Sequence, residues 1–154
     1  MKKFVFIVSI LCFFIDQISK LFILHFFSNS VTNVIIPNFF SIIYVENTGA
    51  AWGMFSNGTL ILALLSLIFL FIAIKYVVDK DDLSWFNVIS YGFIIGGVLG
   101  NLFDRIVRSF VVDFLSFKFF SYSFPVFNIA DCFIVVGIIL VLIDSFLESK
   151  RVKK

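Results

Sequence analysis

Four long apolar stretches, separated by shorter polar ones, organise this chain. They cover about 4–27, 60–78, 85–103 and 127–147, and each is long enough, or nearly so, to cross a bilayer as a helix. In lipid the backbone must close its own hydrogen bonds, and a barrel would show short alternating strands, so helices are expected. The short polar link between the second and third stretches, Asp79 to Ser84, predicts an antiparallel helical hairpin. Two longer connections remain, about 28–59 and 104–126. In the first, Val31 to Val45 is rich in Val, Ile, Phe and Tyr and is broken at Pro37-Asn38, which reads as two short strands lying at the membrane surface. The expected fold is an all-α membrane bundle of four transmembrane helices, with a small extracytoplasmic β-sheet segment between helices one and two. The whole chain, 1–154, is read as a single integral-membrane domain.

Composition excludes the alternatives to a membrane protein. Hydrophobic residues make up 61% of the chain and charged ones 14%, with a mean hydropathy of +1.11. A soluble domain of this size could not bury that much apolar surface, and disordered chains are poor in such residues. Met1-Lys2-Lys3 before an apolar run looks like a secretory signal, but no small-x-small cleavage site follows, and Asp16 and Lys20 interrupt the run. Leu11 before Cys12 is also too bulky for a lipoprotein signal. The segment is therefore read as a retained first helix.

Net charge is +2 and identifies no partner; the placement of the charges says more. Lys2 and Lys3, then Lys75 and Lys80, then Lys150, Arg151, Lys153 and Lys154 all fall on one side of a four-span chain. The positive-inside rule makes that side cytoplasmic, with both termini, and turns the two longer connections outward. Cys12 and Cys132 read as small buried hydrophobes without partner spacing. Gly92, Gly96 and Gly100 repeat every fourth residue in the third span, a pattern that lets helix backbones pack closely.

Ionisable residues are costly inside a membrane, so each is a functional candidate. They crowd the outer ends of the helices. Asp16 and Lys20 share a face of helix one and read as a structural ion pair. Asn101, Asp104 and Arg105 close helix three, Asn128 and Asp131 open helix four, and Asp113 stands between them among large apolar residues. A transporter would place such groups near the bilayer midplane, where only Asp16 is an approximate candidate. A drug exporter of that kind, and a purely structural membrane subunit, are the rival readings. His25 is the sole histidine, which leaves out Cys/His metal sites and a Ser-His-Asp set. A carboxylate metal site at Asp16, Asp104, Asp113 and Asp131, and Ser-Lys chemistry through Ser19 or Ser41 with Lys20, stay formally open. A pair of aspartates sharing one proton needs neither metal nor covalent intermediate. The residues alone do not choose Asp113 over Asp104.

Five segments together resemble the lipoprotein signal peptidase (signal peptidase II) family, integral-membrane aspartic proteases of bacteria. They are Asp16-Gln17-Ile18-Ser19-Lys20, Asn47-Thr48-Gly49-Ala50-Ala51-Trp52, the run Gly96 to Arg105, Val111-Val112-Asp113-Phe114, and Pro125 to Asp131. Trp52 stands where other members often carry Phe. The resemblance implies Asp113 and Asp131 as the catalytic pair. It assigns Asn47, Gly49, Asn101, Asp104, Arg105 and Asn128 to the substrate groove and its support, with Asp16 and Lys20 as buried partners nearby. The implied reaction removes the signal peptide from diacylglyceryl-modified prolipoproteins, cutting just before the lipidated cysteine. No cofactor or metal, and no nucleic acid, is expected. The expected partners are the lipid-modified precursor and membrane lipid, the expected state a monomer. The expected place is the bacterial cytoplasmic (inner) membrane, with the active site near the outer leaflet.

Overall fold

A computed structural model of the chain describes residues 1–27, 32–50, 54 and 58–152. Their order is α1 (Lys2–Phe27), β1 (Asn33–Ile36), β2 (Phe40–Asn47), α2 (Thr59–Asp79), α3 (Trp85–Arg108), β3 (Val111–Phe119), β4 (Tyr122–Ser123) and α4 (Ile129–Val152). All four helices are long and apolar enough to cross a membrane. Ala51 and Trp52, which belong to one of the family segments, lie outside the described residues.

Helix α3 is the axis of the bundle. It packs against α1, α4 and α2, whereas α1 and α4 touch each other less. Its sequence explains the position. Within the apolar window of each span, 61% of α3 is buried, against 11% of α4 and 17% of α2. Glycines make this possible. A Cβ at Gly96 would fall 2.6 Å from the Ser9 carbonyl oxygen of α1. A Cβ at Gly100 would strike the Asp16 carboxylate, and one at Gly97 would fall on the α4 backbone at Ala130. The glycine ridge thus seats α1 on one side of α3 and α4 on the other. Ser84 and Asn87 form a capping box at the start of α3, and Ser109, with φ 66°, ends it in the left-handed region.

Two boundaries differ from the sequence reading. α3 runs on to Arg108, so Asp104 and Arg105, read as the close of helix three, lie about a turn inside its end. Their charges do not end the helix, because both side chains find partners against the bundle. α4 starts at Ile129 and continues to Val152. The sheet is also larger than the two strands expected. Its antiparallel order is β1-β2-β3-β4, and β3 and β4 come from the second outer connection, read from sequence without strands. The expected turn at Pro37-Asn38 is present between β1 and β2, with Asn38 at φ 59°.

The pairing of β2 with β3 brings the two outer connections together. Ile42 pairs with Leu115, Val45 with Asp113, and Asn47 with Val111, so one extra β2 residue is accommodated between Ile42 and Val45. Val112 and Phe114 pack with Ile23 near the end of α1, anchoring the sheet to the bundle. Phe127 pairs with Leu115, which draws the chain entering α4 alongside β3.

Replacing Gly96 by alanine is expected to destabilise the bundle by about 1–3 kcal/mol, since the Cβ meets backbone that cannot rotate away. Thermal unfolding in detergent measures this; an unchanged midpoint would refute the close α1–α3 seat.

Candidate active site

The end of the bundle next to the sheet holds a polar core. Lys20 on α1 is fully buried, as are Asp16 and Asp104. Its ammonium donates to Asp16 Oδ2 at 2.8 Å, to Asn101 Oδ1 at 2.9 Å and to Asp104 Oδ2 at 3.1 Å. All three of its donors are therefore used. Arg108 pairs with Asp104 as well, so two cations face two carboxylates. Gln17 joins the two acids: Nε2 donates to Asp16 Oδ2 and to Asp104 Oδ1, 3.1 Å each.

Above this core lie Asp113 and Asp131, carried by different elements. Asp113 stands on β3, diagonally across from Asn47 at the end of β2, and Asn47 Nδ2 donates to its Oδ2 at 2.7 Å. Asp131 stands in the first turn of α4, and Asn101 Nδ2 of α3 donates to its Oδ1 at 2.7 Å. Asn128 links the two. Its Nδ2 donates to Asp113 Oδ1 at 2.6 Å, and its backbone N–H donates to Asp131 Oδ2 at 3.1 Å. The Asp131 N–H donates back to Asn128 Oδ1, a reciprocal cap for α4. The Asn101 amide has its orientation fixed by donors on its oxygen: Lys20, and Asn128 at 3.1 Å. Asn47 is fixed similarly, because the Gly49 N–H donates to its Oδ1 at 2.9 Å.

The sequence-predicted residues thus come together, though in two layers. Asn47, Asn101, Arg105, Asp113 and Asp131 line a cavity of about 640 Å³, walled by apolar residues such as Phe124, Pro125, Val126 and Val135. Arg105 donates to the Asn101 carbonyl at 3.3 Å and lies in the field of Asp113 and Asp131. Asp16, Lys20, Asp104 and Asn128 lie beneath, fully buried. Gly49 acts through its backbone. Sequence reasoning gave no role to Gln17 or Arg108. Gln17 sits in the same short segment as Asp16 and Lys20, and Arg108 lies one turn beyond Asp104, the available signals. Among the described residues, no group of three His, Cys, Asp or Glu side chains is arranged to hold a metal ion.

Burial, and then the nearby Asp131 carboxylate, push the Asp113 carboxyl up from its ordinary value to about 6, against the stabilising donors Asn47 and Asn128 and the Lys20 charge. Two carboxylates in one partly apolar cavity, one holding its proton to higher pH than usual, have the chemistry an acid–base pair requires.

The sequence profile of the family described as signal peptidase (SPase) II matches residues 8–147. A lipoprotein signal peptidase of Clostridium novyi (strain NT) is 42% identical over 137 residues, 88% of this chain and 93% of that protein. A bacterial membrane enzyme solved by the in meso method at 2.3 Å superposes with a TM-score of 0.86 at 29% identity, covering 97% of this chain and 91% of its own. A second, solved at 1.9 Å, gives 0.80 at 29% identity over 91% and 90%.

A raised carboxyl pKa means that the folded chain holds this proton more tightly than the unfolded one. The contribution of Asp113 to stability is therefore full below the ordinary carboxyl pKa and is lost as pH rises through about 6. Asp131→Asn removes the neighbouring charge and is expected to lower the Asp113 midpoint, read by ¹³C NMR of labelled aspartate; an unmoved or raised midpoint would contradict the coupling.

Proposed function

The chain belongs to the signal peptidase II family, and on that premise we propose that Asp113 and Asp131 are its catalytic pair, working as an aspartic dyad. It is a membrane-spanning protease that removes signal peptides from prolipoproteins. The observation that carries the site assignment is the arrangement of amides. Asn47, Asn101 and Asn128 each donate to a carboxylate of the pair, at 2.6–2.7 Å, at the polar end of an otherwise apolar cavity. Asp104, the rival acid in the sequence, is fully buried and committed to Lys20, Arg108, Gln17 and the Val112 N–H. It has no oxygen left for a substrate.

The chemistry follows from the pair sharing one proton. The ionised carboxylate takes a proton from a water, whose oxygen attacks the scissile carbonyl carbon. The protonated one gives its proton to the carbonyl oxygen. The resulting gem-diol collapses, the C–N bond breaks, and a proton passes to the leaving amine. Arg105 and Asn47, on the cavity wall, orient the substrate backbone. The cleaved bond precedes a cysteine carrying diacylglycerol, and the substrate enters sideways from lipid. The apolar wall formed by Phe124, Val135 and Val136 suits such acyl chains.

The protein is a multi-pass protein of the bacterial inner membrane. The finer topology belongs to the proposal: both termini cytoplasmic, the dyad near the outer leaflet, and the chain acting as a monomer. Lys2, Lys3, Lys75, Lys80 and Lys150 support it, since these lie at the end of the bundle opposite the sheet. The sheet turns apolar side chains outward at Val34, Ile35, Phe119 and Phe120, the last 98% exposed at the β3–β4 turn, where outer-leaflet lipid would cover them.

Asp113→Asn and Asp131→Asn are each expected to lower cleavage of a lipidated precursor by roughly 10²–10⁴-fold or more while the purified protein stays folded. Retained turnover in either variant would sink the assignment. A cysteine placed at Ser121 is expected to react with an impermeant maleimide added outside the cell, and one at Asp82 to stay unlabelled; the reverse pattern would invert the topology.

A further inference from the structure

Two of the buried acids take no part in the chemistry above, yet both reach into it. Asp16 spends Oδ2 on Lys20 and Gln17, and its Oδ1 accepts the Ala130 N–H at 3.0 Å. Asp104 gives Oδ1 to Gln17 and Arg108, while its Oδ2 accepts from Lys20 and from the Val112 N–H at 3.1 Å. Ala130 immediately precedes Asp131, and Val112 immediately precedes Asp113. The two grips are equivalent, although they fall on a helix and on a strand.

We propose that Asp16 and Asp104, tied to each other through Lys20, are positioning residues that set the separation of the catalytic carboxylates by each holding the peptide N–H just before one of them. The inference rests on the assignment of Asp113 and Asp131 as the dyad. An ion pair between α1 and α3 needs no bond to α4 or β3, and apolar replacements could pack such an interface as well. Beneath the Asn128 bridge and the pairing of Phe127 with β3, the triad adds a second connection between these two peptide groups, one that runs through α1 and α3. The Lys20 ammonium fixes both carboxylates, and Gln17 bridges them a second time. Each carboxylate then fixes a backbone position one residue from a reacting group, where a displacement of about 1 Å is felt directly in the rate.

The test compares three substitutions of Asp104 in the full-length, detergent-purified chain acting on a lipidated peptide. Asp104→Asn loses the charge but keeps a carbonyl oxygen for Val112. Asp104→Glu keeps the charge but sets its oxygens one methylene further out. Asp104→Ala removes both. The glutamate and alanine variants are expected to lose about 100-fold in kcat with KM within about twofold, and the asparagine variant to stay within about tenfold of the parent kcat. Thermal midpoints are expected in a different order, with the glutamate variant above the asparagine one, because asparagine, unlike glutamate, leaves Lys20 and Arg108 short of a counter-charge. Asp16→Asn and Asp16→Glu repeat the comparison at Ala130. Equal kcat across the series, a loss confined to KM, or activity that simply follows the thermal midpoint would overturn the proposal. Where the alanine variant does not fold, the asparagine–glutamate comparison decides, and full kcat in the glutamate variants overturns it. Asp113→Asn in the same assay separates the two readings: turnover there removes the dyad assignment, whereas full kcat in the Asp104 series beside a dead Asp113→Asn removes the positioning role alone.

Discussion

One buried ammonium governs the sheet-side half of this protein. A fully desolvated cation is affordable only when every donor is taken and the surrounding charge is balanced. Lys20 meets both conditions, with Asp16, Asp104 and Asn101 as acceptors and Arg108 completing the balance. The requirement is also a register lock. Sliding α1 along α3 by a single turn would leave a carboxylate and an ammonium unpaired in a dry interface. The glycine ridge of α3 brings the helices close enough for the lock to engage, and the lock selects one close packing among several that the ridge would allow.

Asparagine transmits this order to the proposed catalytic carboxylates. Its amide is neutral and two-sided, accepting at one end and donating at the other. Asn101 accepts from Lys20 and donates to Asp131; Asn47 accepts from the Gly49 N–H and donates to Asp113. Asn128 accepts from the Asp131 N–H and donates to Asp113. Each amide is held by its oxygen, so its NH₂ can point only one way. The amides thereby orient the two carboxylates without themselves adding a charge.

The spans were legible because a bilayer leaves few solutions for long apolar runs, and the crowding of acids at one end of the bundle was legible because charges are rare in such runs. What the sequence concealed follows from the same logic. Asp104 and Arg105 read as the end of helix three, since charge normally marks the water boundary; here the helix continues to Arg108 because the partners are inside. Val111 to Phe119 did not read as a strand, because its first half is buried on both faces and lacks alternation. The family segments separated Asp113 from Asp104; local chemistry could not, since both are acids at the outer end. The roles of Ala130 and Val112 were beyond any reading of side chains, because both act through a peptide N–H.

The four-residue spacing of Asp16 and Lys20 has a consequence for biosynthesis. Their other partners, Asn101 and Asp104, lie more than eighty residues later and do not yet exist when the first helix meets the membrane. An isolated lysine or aspartate opposes insertion, by about 2.5–3.5 kcal/mol at a helix centre and by less toward its end. As an i,i+4 pair the two neutralise each other within one helix, so α1 can enter the bilayer alone and wait. The arrival of α3 then exchanges a local pair for a shared one. On the proposed assignment the site is still incomplete at that stage, since Asp131 is carried by α4.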